Sequence, residues 1–167
     1  MTSFSILQLE LILILSLIVI KKATSEFYDL SVDHIEVVNS YGFKKNILHS
    51  NRVTILEFFV SWCGTCNSFK IVWKTFANLT ILWQKKVLRV AAIDCESIVN
   101  DFEVCQKNNV LDYPRFRMFS TEQNDIAGFK LSEKEDARSE QFMKSTIDFL
   151  EQQNNTRKDW PILKPYM

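Results

Sequence analysis

The sequence predicts an α/β domain of three layers, a central mixed sheet with helices on both faces. Three observations carry this. Residues 53–60 form an apolar run broken only by Thr54 and Glu57, and near-continuous hydrophobicity marks a strand covered on both sides. Directly after it, Cys63 opens a stretch with Phe69, Val72, Trp73 and Phe76 at the spacing of one apolar helical face. Strand-like and helix-like segments then alternate, and the chain closes on a hairpin and a helix.

Taken in order, residues 35–38 are a β-branched run that reads as a first strand. Residues 41–49 read as a short helix. The apolar run 53–60 and the helix opened by Cys63 follow. Residues 87–93 are the next strand and 97–108 the next helix. Residues 116–120 form a further strand, with 126–131 folding back on it around Gly128. Residues 139–152 read as a closing helix with Phe142, Ile147 and Leu150 on its apolar side. Residues 153–167 are polar, then proline-containing, as expected of a tail or the start of a linker.

The chain has 167 residues, room for one domain and little else. Nearly half are apolar, including 13 Phe and 4 Trp, enough for a packed core. Twenty basic residues balance twenty acidic ones, so no basic face points to nucleic acid. Residues 11–20 are apolar except Ser16. That length suits a signal peptide and is short for a membrane span. Ala23 and Ser25 are placed for a cut before Glu26. Against this, a basic leader is missing, Glu10 intrudes, and Lys21-Lys22 sits on the flank that favours an uncleaved anchor. The expected organisation is a signal peptide over 1–25, a domain over 26–152 and a tail over 153–167, with no stable membrane span. Asn78-Leu79-Thr80 and Asn154-Asn155-Thr156 are glycosylation sequons in a secreted chain.

The chemistry sits in Trp62-Cys63-Gly64-Thr65-Cys66. Two thiols one turn apart at a helix start are the mark of thioredoxin-like redox exchange. The helix N-terminus favours a thiolate at Cys63, the expected nucleophile, and Cys66 is placed to resolve a mixed disulfide. A static disulfide and half of a zinc site are the other readings of the pair. Zinc fits poorly, because Cys95 and Cys105 are not a second closely spaced dyad. Glu57 lies inside the apolar strand. If buried, it resists ionisation and can exchange a proton with Cys66; if it points to the sheet rim, it is solvated and idle. Tyr113-Pro114 precedes a strand, where a cis proline would face the two cysteines and offer backbone groups to a peptide. A bond between Cys95 and Cys105 would stabilise by about 2–3 kcal/mol through loop closure. No metal-binding or glycine-rich phosphate motif is present.

The run from Ile55 to Cys66 resembles the thioredoxin and protein disulfide isomerase families. Asp33-His34-Ile35-Glu36-Val37-Val38-Asn39, Ala91-Ala92-Ile93-Asp94-Cys95 with Cys105, and Tyr113-Pro114-Arg115-Phe116 sharpen the match. Together they resemble the first thioredoxin domain of the quiescin-type, flavin-dependent sulfhydryl oxidases, over about residues 27–161. The resemblance implies that Cys63 and Cys66 are the redox pair, Pro114 a cis-proline, and Cys95–Cys105 a structural disulfide. It also implies a relay in which electrons pass to a second Cys-x-x-Cys beside FAD and then to oxygen. These 167 residues contain no second Cys-x-x-Cys, and no flavin domain is expected within them. No cofactor is therefore expected in this chain, and a flavin-containing oxidase domain would act in trans. Thr65 replaces the histidine usual in oxidase and isomerase sites. Its loss is expected to move the potential from roughly −180 mV toward roughly −270 mV.

The expected function is a secretory-pathway thiol–disulfide oxidoreductase acting on protein or peptide thiols. The rival reading is a redox-silent peptide-binding module, or a truncated oxidase fragment that partners a full-length enzyme.

Overall fold

The computed structural model describes residues 8, 10, 27–96, 99–119, 129–130, 144, 146 and 148–152. The chain runs through α1 (Leu30–Asp33), β1 (Glu36–Val37), α2 (Ser40–Gly42) continued by a π-helical segment Phe43–Leu48, and β2 (Val53–Phe59). It continues through α3 (Gly64–Leu79), α4 (Ile81–Gln84), β3 (Leu88–Asp94), α5 (Val99–Lys107), β4 (Arg115–Phe119) and β5 (Phe129–Lys130). Residues 148–152 are again helical.

The five strands form one mixed sheet in the order β1-β3-β2-β4-β5. β3 lies parallel to both β1 and β2, whereas β4 is antiparallel to β2 and to β5. β2 is thus flanked on both edges, and all seven of its residues are buried. This is why it reads as a nearly unbroken apolar run rather than an alternating one.

Pairing fixes which side chains share a face. Glu57 is opposite Ala92 on β3 and Phe116 on β4. The rings of Phe69 and Trp73 from α3 pack on Phe116. Phe27 and Tyr28 pack on Phe59, two residues along β2 and so on the same side. The other face carries Arg117 opposite Leu56, and Phe119 opposite Thr54. Phe43 of the π-helical segment packs on Phe119, and Arg117 donates to the carbonyl of Asn108 just beyond α5. Helices therefore cover both faces, in the three layers anticipated. The core includes Trp73, Tyr28, Phe43, Phe58, Phe59, Phe76 and Phe119, all essentially inaccessible to water. Each contributes roughly 1.5–3 kcal/mol by burial.

Several boundaries differ from the sequence reading. The first strand shrinks from 35–38 to Glu36–Val37, although Ile35 is fully buried and Val38 still donates to Ala92. The helix read over 41–49 is α-helical only at Ser40–Gly42, where Asn39 caps it, and π-helical over Phe43–Leu48. The wider turn brings the apolar positions Phe43, Ile47 and Leu48 toward one side. Two one-turn helices were not foreseen. In α1 the Asp29 side chain accepts from Ser31 N–H, and Asp33 accepts from Asp29 N–H. α4 follows α3 directly, with Thr80 buried at the join. Outside the described residues lie all of 1–25 except residues 8 and 10, residues 126–128 and 131 of the expected hairpin, half of the expected closing helix 139–152, and all of 153–167.

Cys95 follows β3 and Cys105 lies in α5, and their sulfurs are bonded across a Cα–Cα distance of 6.0 Å. Both are buried. The ten-residue separation sets the entropy that the bond removes from the unfolded chain. Replacing both by alanine is expected to lower stability by about 2–3 kcal/mol. Urea unfolding of the two proteins at one pH checks this, and equal midpoints with equal slopes would refute it.

Candidate redox site

Cys63 occupies the N-cap of α3, with extended backbone at φ −72° and ψ 117°. Its Sγ accepts the Cys66 N–H at 3.0 Å, and its carbonyl accepts from Asn67 N–H at 3.1 Å. A cap normally offers an oxygen to these unpaired donors. Here a sulfur takes that place, so negative charge developing on it is met by a backbone N–H and the positive end of a 16-residue helix. Cys63 is bonded to Cys66, with 5.2 Å between their Cα atoms.

The two cysteines are unequal in exposure. Cys63 retains 8% of its surface, while Cys66 retains none. Trp62 beside them is 68% exposed, and its indole N–H donates to the Glu96 carboxylate. The Tyr113–Pro114 peptide is cis. The Tyr113 carbonyl oxygen lies 3.6 Å from Cys63 Sγ, so the loop before β4 forms a wall of the site. Burial, reinforced by Glu96 and Asp94, holds the Tyr113 phenol above its ordinary range.

Glu57 is fully buried, which decides between the two placements that its sequence allows. Its Oε2 accepts from the Tyr28 hydroxyl at 2.6 Å, and Oε1 has no hydrogen-bond partner among the described residues. Desolvation pushes its pKa up to about 8, against the Tyr28 hydrogen bond and the Lys70 charge, which both favour the carboxylate. Lys70, on α3, sits 4.3 Å from the centre of the Phe27 ring. Burial and neighbouring Lys74 pull its pKa down. Lys74 pairs with Asp33 at 2.7 Å.

The fold thus gathers Cys63, Cys66 and the Tyr113-Pro114 turn at one end of the sheet. Glu57 lies inside it, on the face that α3 covers. Asn78 is exposed on the last turn of α3, and Asn154 lies outside the described residues. No group of metal-ligating side chains occurs among the described residues, and no helix among them is long and apolar enough to cross a membrane. Sequence reasoning missed Tyr28, Lys70 and Glu96. Tyr28 stands 29 residues from Glu57, and no local periodicity links them. The Asp29 cap that starts α1 was the one local signal that this segment is ordered.

Fold and site define a thioredoxin-type domain. The Thioredoxin family model matches residues 34–148, and the chain belongs to that family. Among curated proteins it is 30% identical to mouse sulfhydryl oxidase 1 over 131 residues, 78% of this chain and 17% of that protein. It is 27% identical to human sulfhydryl oxidase 2 over 137 residues, 82% of this chain and 19% of that protein. The matched stretch is homologous to the thioredoxin domain of those oxidases and spans under a fifth of their length. The first thioredoxin domain of mouse protein disulfide-isomerase A4 shares the fold, with a TM-score of 0.58 at 20% identity over 87% of this chain and 94% of that one. So does the J-Trx1 fragment of ERdj5, with a TM-score of 0.59 at 18% identity over 72% of this chain and 51% of that one.

Proposed function

We propose that the chain is a thiol–disulfide oxidoreductase of the secretory pathway that exchanges disulfides with protein or peptide thiols through Cys63 and Cys66. The observation that carries this is the bonded pair itself, with Cys63 at a helix N-terminus keeping a little exposed surface and Cys66 keeping none. A client thiolate attacks Cys63 Sγ. The Cys63–Cys66 bond breaks, and its electron pair goes to Cys66, which takes a proton from Glu57. A second client thiolate then attacks the client sulfur of the mixed disulfide, and Cys63 leaves as a thiolate held by the Cys66 N–H. The client loses two electrons and the pair gains them. The same steps run backward from the reduced pair.

Glu57 suits this exchange because a carboxyl with a pKa of about 8 still carries its proton at neutral pH. Pro114 holds the loop whose backbone faces Cys63, a place for an extended client. Reoxidation of the pair falls to a disulfide on a flavin-containing oxidase domain in trans. The secretory assignment rests on the apolar N-terminal run, the two sequons and the four cysteines taken up in two disulfides.

The test is capture of clients. Cys66→Ala is expected to accumulate mixed disulfides on Cys63 that reducing agent releases, and Cys63→Ala is expected to accumulate none. If neither variant captures a client thiol, the exchange reading is wrong.

A further inference from the structure

We infer that Tyr28 is a positioning residue for the buried carboxyl, and that the segment Phe27–Tyr28 forms the lid that keeps Glu57 dry and sets its proton affinity. The inference rests on the exchange reading above for its kinetic consequence, but not for its effect on the acid. Tyr28 is 1% exposed and reaches Glu57 Oε2 at 2.6 Å. Phe27 stacks on Phe59 at 4.5 Å between ring centres, and the Tyr28 ring meets Phe59 edge-on at 5.5 Å. These rings lie over the same sheet face as Glu57. Glu57 Oε1 is left without a hydrogen-bond partner among the described residues, so Tyr28 supplies the hydrogen bond that the structure shows to this carboxyl.

Three other charged groups bear on this corner. Lys70 on α3 acts on Glu57 and lies over the Phe27 and Tyr28 rings. Asp33 on α1 acts on both Tyr28 and Lys70, and Lys74 on α3 pairs with Asp33. On the β3 and β4 sides Glu57 faces Ala92 and Phe116, which do not titrate. Burial and the neighbouring carboxylates hold the Tyr28 phenol far above its ordinary range, so it stays a donor at every physiological pH. A donor that never ionises stabilises the Glu57 carboxylate against the desolvation that opposes it. Without the hydroxyl, desolvation is less opposed and the acid holds its proton to higher pH.

The experiment uses the full chain and its Tyr28→Phe variant, which keeps the ring and removes the hydroxyl. Titration of the Glu57 carboxyl carbon by NMR is expected to move upward by about one pH unit in Tyr28→Phe. An unchanged midpoint overturns the inference. The kinetic arm mixes reduced protein with the aryl disulfide of 2-nitro-5-thiobenzoate. Cys63 thiolate attacks the disulfide and releases one aryl thiolate. Cys66 then gives its proton to Glu57, attacks Cys63 Sγ and releases the second. In this direction Glu57 must be ionised, so the second release at pH 7 is expected to slow about tenfold in Tyr28→Phe. Its pH profile is expected to shift by the same unit as the NMR midpoint. In a Glu57→Gln background, Tyr28→Phe is expected to change neither rate nor profile. Equal slowing in both backgrounds would mean that Tyr28 only packs, and would overturn the inference. A wild type that never releases the second thiolate would overturn the exchange reading and the kinetic half, while the NMR shift would still decide the effect on the acid.

Discussion

Glu57→Gln is expected to make the folded protein more stable than wild type at pH 8, by on the order of 4 kcal/mol less the cost of an imperfectly bonded amide. The sign follows from the direction of the shift. The Glu57 pKa rises from 4.5 to about 8 on folding, so between those values the unfolded chain releases a proton that the native state keeps. The unfolded state therefore binds fewer protons, and stability falls as pH rises through this window. Below about pH 4.5 both states are protonated and the penalty vanishes; above about pH 8 it is constant. Glutamine carries no charge in either state, so its stability lacks this slope. It also retains an oxygen for the Tyr28 hydroxyl. Urea unfolding of both proteins at pH 5 and pH 8 checks the prediction, because other titrating groups cancel in the difference. Parallel pH profiles for the two proteins would contradict it. The same substitution is expected to slow exchange, because the amide neither gives nor accepts the proton that Cys66 needs. Such a gain in stability at a loss of rate is the pattern expected where a site keeps a strained group for its chemistry.

Trp73→Ala is expected to cost about 3–5 kcal/mol, a large share of the roughly 5–15 kcal/mol that holds a typical domain. The indole is completely buried. It stacks on Phe76 at 5.2 Å between ring centres with the planes 4° apart, and meets Phe116 at 5.0 Å. Phe116 is the β4 neighbour of Glu57. Removing the indole opens a cavity between α3 and the sheet that flanking side chains only partly fill. Trp73→Phe keeps an aromatic face there and is expected to recover more than half of the loss. Chemical denaturation of the three proteins decides the matter, and a loss below about 1 kcal/mol for Trp73→Ala would show that the helix is not held at this point. Water admitted beside Glu57 is also expected to lower its pKa toward the ordinary range, because desolvation is the largest cause of its present rise.

The fold was legible where local chemistry and burial pattern agree. β2 was plain because a strand flanked on both edges and covered on both faces tolerates few polar residues. α3 was plain because Phe69, Trp73 and Phe76 recur at helical spacing behind a cysteine cap. The segment 41–49 was legible as helical but not as π-helical, since both geometries use similar apolar spacing. β1 was overread because Ile35 is buried without belonging to the ladder. α1 and α4 are single turns, too short for periodicity to register.

By itself, the sequence determined the three-layer class, the Cys-x-x-Cys at a strand-to-helix turn and the thioredoxin resemblance. Each is carried by residues within one or two elements, where spacing maps directly onto geometry. Tertiary structure alone decided that Glu57 is inside rather than at the rim, that Tyr28 is its donor, and that Glu96 holds Trp62. These contacts join residues 29 and 34 positions apart. The pattern in one strand says that a carboxyl stands among apolar neighbours, but its ionisation depends on what the rest of the chain lays over it. Here that cover is Phe27, Tyr28 and the α3 helix, and no property of the strand itself announces it.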